Sequence, residues 1–299
     1  MKKSIIILLT LLLTSCTVKK KQDLSTLPWV DEFQYTKEEI QSVKTTGRIP
    51  GPKVPVTVEN ITNNCIIDIG TYDFILSEKH YDLENFNPNR IVNRQVSTRD
   101  MLLEEGMLDE VDILTLDSLD VFVYLMKKCD GPDQFTGLIG WHFFQDKLLT
   151  IDLKSKLVGI KACADIQRKD IEFFTGTNPL EKNTMLKFKG AINNHPVVMS
   201  VSTSLRHSQI SPEFLDMIGI TSRQKYVTLD SVSIGEHLLT EVTCLVNNDL
   251  VLLEPEFRDP IDFILGLNDI KDFILTVNFC NNQIYLDKAS PKKVPEPNN

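Results

Sequence analysis

One short segment of the sequence has residue types suited to acid–base chemistry, an aspartate directly after an apolar run. Residues 65–71 have the sequence CIIDIGT, so Asp68 lies where an apolar strand turns towards Gly70 and Thr71. A carboxyl group at the end of a buried strand is costly unless neighbouring donors bind it. Asp68 is therefore either one half of a catalytic acid pair or a structural residue that accepts N–H bonds from its own turn.

The sequence pattern around Asp68 is repeated later in the chain, but the second copy has no aspartate at the corresponding position. Gly140 and Gly266 each close an apolar-apolar-Gly triplet, and the hairpins that follow them align without a gap at an offset of 126 residues (266 − 140). A second apolar strand, residues 197–201, places Ser200 opposite Asp68 in the alignment, at an offset of 132 (200 − 68). The pattern predicts an internal repeat whose second copy lacks the carboxylate.

Short strands dominate the elements that must position these residues. Alternating and continuous apolar runs separated by turn residues predict a mainly β chain, with residues 111–126 forming two strands that break near 117–118. One helix is well marked, because Ser211 is a favourable N-cap, Pro212 suits the first helical position and Gly219 suits the end.

The start of the chain has the composition of a bacterial lipoprotein signal. Basic residues precede the apolar run 5–13, and a small residue precedes Cys16, which would carry lipid after cleavage. The sequence thus predicts an extracytoplasmic protein of the bacterial cell envelope that is anchored to a membrane through Cys16. The predicted segments are a signal peptide (1–15), a lipidated tether (16–51), a first lobe (52–161), a second lobe (183–288) and a disordered tail (289–299).

Charge and cysteine content limit the partners and the crosslinks. A net charge of −9 argues against nucleic acid as a partner. Five cysteines remain after Cys16, so they cannot all pair within the chain. A disulfide between Cys129 and Cys163 is one option, whereas Cys65 and Cys280 lie in apolar strand patterns typical of small core residues.

Taken in this order, the motifs resemble those of the retropepsin-like aspartic peptidases. In that family each half-molecule has an apolar strand ending in Asp-Thr-Gly and a later strand ending in two apolar residues and glycine. The resemblance implies a mainly β, bilobal, pepsin-like acid-protease fold of two similar lobes with short helices. It also implies that the two strand-end loops cross beside a cleft between the lobes.

Peptide hydrolysis by this route requires two carboxylates, because one takes a proton from water while its protonated partner polarises the scissile carbonyl. The sequence departs from the family at three places. Ile69 replaces the threonine whose hydroxyl braces the two loops, and Ser200-Val201-Ser202 stands where the second Asp-Thr-Gly belongs. The third departure is that residues 85–109 show no glycine-rich flap.

Two hypotheses about function follow from the resemblance. The favoured one is a degenerate peptidase fold that serves as a peptide- or protein-binding or assembly module, with its ligand in the inter-lobe cleft. The alternative is an active aspartic endopeptidase in which a homodimer completes the acid pair with a second Asp68. The predicted site has Asp68 as the catalytic candidate, Gly70 and Thr71 shaping its turn, and Ser200, Ser202, Gly140 and Gly266 forming the cleft.

Other chemistry is poorly supported by the sequence, which predicts neither a metal nor a cofactor. The five histidines lack metal-ligand spacing. They are His80, His142, His195, His207 and His237. Ser200, Ser202 and Ser204 precede His207, but no Gly-x-Ser-x-Gly turn surrounds them, which argues against a serine nucleophile.

Overall fold

A computed structural model describes residues 24–289 except 48, 82, 84–85, 97–98, 128–133, 164–165, 176–184, 222–223, 249 and 251–260. The predicted signal peptide, the lipidated Cys16, Cys129 and the tail from residue 290 therefore lie outside the described residues.

Strands make up most of the described chain. They are β1 (Ile40–Ser42), β2 (Lys53–Val58), β3 (Ile61–Asp68), β4 (Phe74–Ser77), β5 (Arg90–Val96), β6 (Arg99–Ile113), β7 (Leu116–Met126), β8 (Gly137–Gly140), β9 (Lys147–Asp152), β10 (Leu157–Ala162), β11 (Ile171–Phe174), β12 (Lys187–Ile192), β13 (His195–Val201), β14 (Ser208–Ile210), β15 (Tyr226–Ile234), β16 (His237–Val246), β17 (Phe263–Leu265), β18 (Phe273–Asn278) and β19 (Gln283–Lys288). The helices are short: α1 (Pro28–Glu32), α2 (Pro212–Met217), α3 (Leu267–Ile270) and 3₁₀ turns at Leu24–Thr26 and Trp141–Phe144.

Two barrel-like sheets repeat one strand order. The first runs β2-β3-β8-β4-β7-β6 and closes by pairing β2 with β6, and the second runs β12-β13-β17-β14-β16-β15 and closes by pairing β12 with β15. In each barrel the strand that ends at the predicted site is parallel to the apolar-apolar-Gly strand. The prediction of two similar β lobes with short helices is confirmed at this level.

A central sheet joins the two barrels along a local twofold axis. Its strand order is β1-β10-β9-β18-β19-β11, with β9 antiparallel to β18. Thr150 pairs with Thr276, its own counterpart at the predicted offset of 126, and their hydroxyl oxygens lie 2.8 Å apart. The repeat therefore extends beyond the predicted lobes, because β1 and β11 add equivalent outer strands to this sheet.

The described part of the predicted tether is folded, so that prediction fails from Leu24 onwards. Trp29 and Phe33 are each 1% exposed and pack on the central sheet with Tyr35. The Tyr35 hydroxyl donates to the carbonyl oxygen of Leu148 at 3.1 Å and lies 3.1 Å from the Thr150 hydroxyl. These aromatic residues, which belong to the segment predicted to be a tether, cover one face of the central sheet. We call residues 24–46 the N-terminal segment.

Two local predictions can be compared directly with the structure. The Ser211 hydroxyl accepts a hydrogen bond from the N–H of Phe214, which confirms the predicted N-cap of α2. The break predicted near 117–118 lies a few residues earlier, between the end of β6 at Ile113 and the start of β7 at Leu116. The stretch 85–109, predicted to lack a flap, contributes most of the β5–β6 hairpin, although it has only one glycine.

The predicted Cys129–Cys163 pairing is wrong, because Cys163 forms a disulfide with Cys280. Cys280 lies in the turn between β18 and β19, where it is exposed, and not in the core as its apolar neighbours suggested. Cys65 is a free, fully buried cysteine, as predicted, and burial raises the pKa of its thiol to about 12.

Candidate functional site

The predicted site lies where two loops cross between the barrels. Residues 68–71 leave β3 and residues 202–205 leave β13, each at the end of a strand buried on both faces. The loops approach so closely that a Cβ on Gly70 would lie 2.8 Å from the side chain of Ser202. The close approach of the second lobe therefore requires glycine at position 70.

The carboxyl group of Asp68 is 3% exposed and is surrounded by donors from both lobes. Its Oδ1 accepts from the backbone N–H of Gly70 at 2.9 Å and from the backbone N–H of Thr203 at 3.1 Å. The Ser202 hydroxyl donates to the same oxygen at 3.0 Å. Oδ2 accepts from the hydroxyls of Thr71, at 3.3 Å, and Ser204. The side chain thus caps its own turn and also binds the other lobe.

Thr203 braces the crossing with its hydroxyl. Its Oγ1 donates to the carbonyl oxygen of Ile67 at 2.7 Å and accepts from the N–H of Ile69 at 3.4 Å. Sequence analysis expected this brace to be lost, because Ile69 has no hydroxyl. The second lobe supplies it instead, so one of the two symmetric braces remains.

The residue that faces Asp68 is Ser202, and the predicted equivalence of Ser200 with Asp68 is wrong. Asp68 pairs with Gly140 in the first barrel, whereas in the second barrel Val201 pairs with Leu265, one residue before Gly266. Ser202 therefore has the place of Asp68, and the offset between the strand ends is 134 (202 − 68) instead of 132.

Equivalent backbone hydrogen bonds support the corrected register. The N–H of Trp141 donates to the carbonyl oxygen of Thr71 at 2.7 Å, and the N–H of Leu267 donates to that of Leu205 at 2.8 Å. Each donor pair differs by 126 residues and each acceptor pair by 134. The second copy of the motif is accordingly Ser202-Thr203-Ser204.

Ser200 lies two residues before the crossing, at the place that the apolar Ile66 has in the first barrel. It is fully buried, and its Oγ makes no hydrogen bond among the described residues. Ser200 and Ser202 are two residues apart, so both side chains lie on the same face of an extended chain. The sequence alone cannot show which of the two serines faces Asp68. Only the pairing with β17 shows which of them faces the aspartate.

Gly140 and Gly266 hold equivalent places at the ends of β8 and β17. A Cβ on Gly140 would lie 2.4 Å from the backbone oxygens of Tyr72 and Asp73, and one on Gly266 would lie 2.5 Å from the backbone of His207. Both glycines therefore let a strand end pass against the backbone of the crossing loops.

Asp68 and Ser202 line neither of the two best-defined pockets in the described part of the chain. One pocket, of about 240 Å³, lies beside the crossing and is lined by Tyr72, Asp73, Phe74, Phe122, Tyr124 and His142. The other, of about 380 Å³, is lined by residues of β11 and its neighbours. The crossing itself is closely packed, which fits the slight exposure of Asp68.

In the part of the chain that the structure describes, the side chains are not arranged as a metal site or as a serine nucleophile with its histidine base. No group of three His, Cys, Asp or Glu side chains there could hold a metal ion. The hydroxyls of Ser202 and Ser204 bond to Asp68 and lie 3.3 Å from each other. His207 instead has its Nδ1 3.3 Å from the side-chain amide of Asn268.

The sequence matches no protein-family profile. It shows no significant similarity to any curated protein.

Proposed function

We propose that this protein is a lipid-anchored envelope protein with a retropepsin-like bilobal fold, which binds a peptide or protein ligand and does not cleave it. The fold assignment is supported by three features that occur together: two barrels of identical strand order, strand-end loops that cross, and a twofold axis through Thr150 and Thr276. The anchor is supported by the signal-like segment before Cys16.

The proposal that the fold is not proteolytic depends on one observation, the serine that faces Asp68. Ser202 donates to Asp68 at 3.0 Å, so the position of a second carboxylate is taken by a hydroxyl. A serine hydroxyl cannot share a proton with Asp68 as a second carboxyl group does, so base and acid cannot be divided between the two residues.

The alternative, an endopeptidase completed by a second chain, requires two Asp68 carboxyl groups in contact. The place beside Asp68 is already filled by Ser202, Thr203 and Ser204 of the same chain. A second chain would have to displace the whole of the second lobe's loop. The geometry therefore favours a binding function over catalysis.

Incubation with an unfolded protein substrate tests the absence of cleavage. Fluorescein-labelled, reduced and carboxymethylated α-lactalbumin would be incubated with the purified chain from pH 3 to pH 8, and its fragments separated by electrophoresis. We expect no fragments at any pH with either the natural chain or Asp68→Asn. Fragments that appear with the natural chain and vanish with Asp68→Asn would establish the endopeptidase instead.

The same probe tests binding between the lobes by fluorescence anisotropy. Arg206 is exposed and follows the crossing loop, so Arg206→Trp should obstruct the site while leaving the contacts of Asp68 intact. Thr240→Trp places the same side chain on an exposed strand of the second barrel and is the matched control. We expect weaker binding for the first variant only. Equal binding by both variants would exclude the inter-lobe site.

A further inference from the structure

Residues 24–35 of the N-terminal segment pack on one face of the central sheet, and the core shared by the barrels packs on the other face. Side chains alternate between the two faces of a strand. On β9, Leu148 and Thr150 face the N-terminal segment, where they contact Trp29 and Tyr35. The next residues along the strand, Leu149 and Ile151, face the opposite way and join the core shared by the barrels.

Asp68 lies on the far side of that shared core. Ile67 and Val201 belong to the same core cluster as Leu149 and Ile151. Asp68 and Ser202 follow Ile67 and Val201 directly, and because side chains alternate along an extended chain they lie on the other face from these core residues. The order through the molecule is thus residues 24–35, central sheet, shared core and crossing loops.

The N-terminal segment is fixed to its face of the sheet by several independent contacts. The Trp29 indole N–H donates to Asp152 at 3.2 Å, and the Tyr35 hydroxyl lies 3.1 Å from the carbonyl oxygen of Leu148 on β9 and 3.4 Å from that of Gly159 on β10. On α1, Glu32 forms an ion pair of 2.9 Å with Arg168. Leu24 is therefore held at the face of the molecule opposite the crossing.

Only seven residues, 17–23, lie between Cys16, the predicted lipid attachment, and Leu24. The eight Cα-to-Cα steps from Cys16 to Leu24 (24 − 16) span at most about 28 Å when fully extended. A compact domain of this size is roughly 45–50 Å across, and the path around its surface to the opposite side is longer still. A tether of this length cannot bring the crossing loops to the bilayer.

We propose that the anchored protein faces the bilayer with its N-terminal segment and turns the crossing loops outward, so that its ligand is a peptide or protein that arrives from the aqueous compartment. This inference rests on the proposed lipid anchor at Cys16 and on the proposed ligand site. It excludes lipids, and protein segments at the surface of the anchoring membrane, as the ligand.

Energy transfer from two labelled positions to the vesicle surface tests this orientation. The mature chain from residue 16, with Cys129→Ser, would be coupled through the Cys16 thiol to a maleimide lipid in phosphatidylcholine vesicles that contain a headgroup-labelled acceptor. The other cysteines are protected, because Cys163 and Cys280 are bonded to each other and Cys65 and Cys244 are buried. An azide-bearing amino acid at position 31, on α1, or at position 206, beside the crossing, would take the donor fluorophore; both positions are exposed.

We expect several-fold stronger transfer from position 31 than from position 206. Equal transfer, or stronger transfer from position 206, would overturn the proposed orientation. As a control, a chain with Cys16→Ser that is coupled through Arg206→Cys, with the donor at position 31, should show weak transfer. Because the lipid is attached chemically, this result does not depend on whether the protein is lipidated in the cell or on whether it binds a ligand. Lipidation in the cell is tested separately by mass spectrometry of the N-terminal peptide, and ligand binding is tested separately in solution.

Discussion

Asp68 and Ser202 occupy equivalent positions in the two lobes but have different roles, since Asp68 accepts hydrogen bonds and Ser202 donates one to it. The carboxyl group accepts hydrogen bonds from five groups, at its own turn and in the second lobe, and the Ser202 hydroxyl is one of these donors. The pair is therefore complementary, a donor against an acceptor, where two carboxylates would compete for one proton. This chemistry suits a fixed joint between lobes better than an acid pair.

Replacing Ser202 with a second acid should make folding depend on pH. In Ser202→Asp the introduced carboxyl group would lie against Asp68, and the like charges would raise the pKa of the pair above the unfolded value near 4. The folded variant then keeps a proton that the unfolded chain releases. Its free energy of unfolding should decline as the pH rises from about 4, by about 1.4 kcal/mol for each unit by which the pKa is raised.

The matched control is Ser202→Asn, which has a similar size and no charge. Urea unfolding of both variants at several pH values between 3 and 8 gives the difference in stability. We expect the two to be alike near pH 3 and to diverge above pH 4. Parallel curves over the whole range would show that the residues at 68 and 202 do not interact as described.

Thr203→Val should weaken the joint without touching Asp68. The change removes the hydroxyl that binds the Ile67 carbonyl and the Ile69 N–H, both in a buried loop. Leaving such groups without partners costs about 1–3 kcal/mol. Thr240→Val, at an exposed strand position, should be nearly neutral. Denaturant midpoints measure both, and similar midpoints for the two variants would contradict the role of the Thr203 hydroxyl.

Elements with local signals were predictable from the sequence, whereas their pairing was not. Ser211, Pro212 and Gly219 marked α2 because caps and breakers act within a few residues. The register of β13 depends on its pairing with β17, whose residues lie 64 positions later in the chain (263 − 199), and a slip of two residues keeps every side chain on the same face. The serine that faces Asp68 was therefore misidentified, although the strand itself was recognised.

The N-terminal segment was missed for a related reason. Trp29, Phe33 and Tyr35 are separated by polar residues, so no strand or long helix pattern marks them. These residues stabilise the fold by packing on the central sheet, whose contacting residues are more than a hundred positions away in the sequence. Sequence patterns can find apolar residues of this kind but cannot show the surface that receives them.

Trp29→Ala should reveal that this segment is part of the folded core. Trp29 is 1% exposed, and truncating a buried tryptophan costs about 3–5 kcal/mol. A tether would tolerate the same change without loss. Lys37→Ala, at an exposed position of the same segment, is the control. Thermal unfolding followed by circular dichroism compares the two variants. Equal melting temperatures for Trp29→Ala and Lys37→Ala would show that the segment is a tether and not part of the core.

At the scale of the whole molecule, the Cys163–Cys280 disulfide ties the end of the first repeat to the last hairpin of the second. The bond closes a loop of 117 residues, for which chain entropy predicts a stabilisation of about 4–5 kcal/mol. Cys163→Ser with Cys280→Ser should lose stability of this order under oxidising conditions. A reducing agent should lower the melting temperature of the natural chain and leave that of the double variant unchanged.

Within the described residues, no helix combines the length and the apolar composition needed to cross a bilayer.

The pairing of Thr150 with Thr276 is the contact that two identical subunits would make on their symmetry axis. In such a dimer every substitution near the axis would occur twice, so an aspartate would always meet an aspartate. Joining the halves in one polypeptide removes that restriction, because each side of the axis can then change alone. A carboxylate that faces a hydroxyl, with a bracing threonine on one side only, is an asymmetric arrangement open to a fused chain and closed to a homodimer.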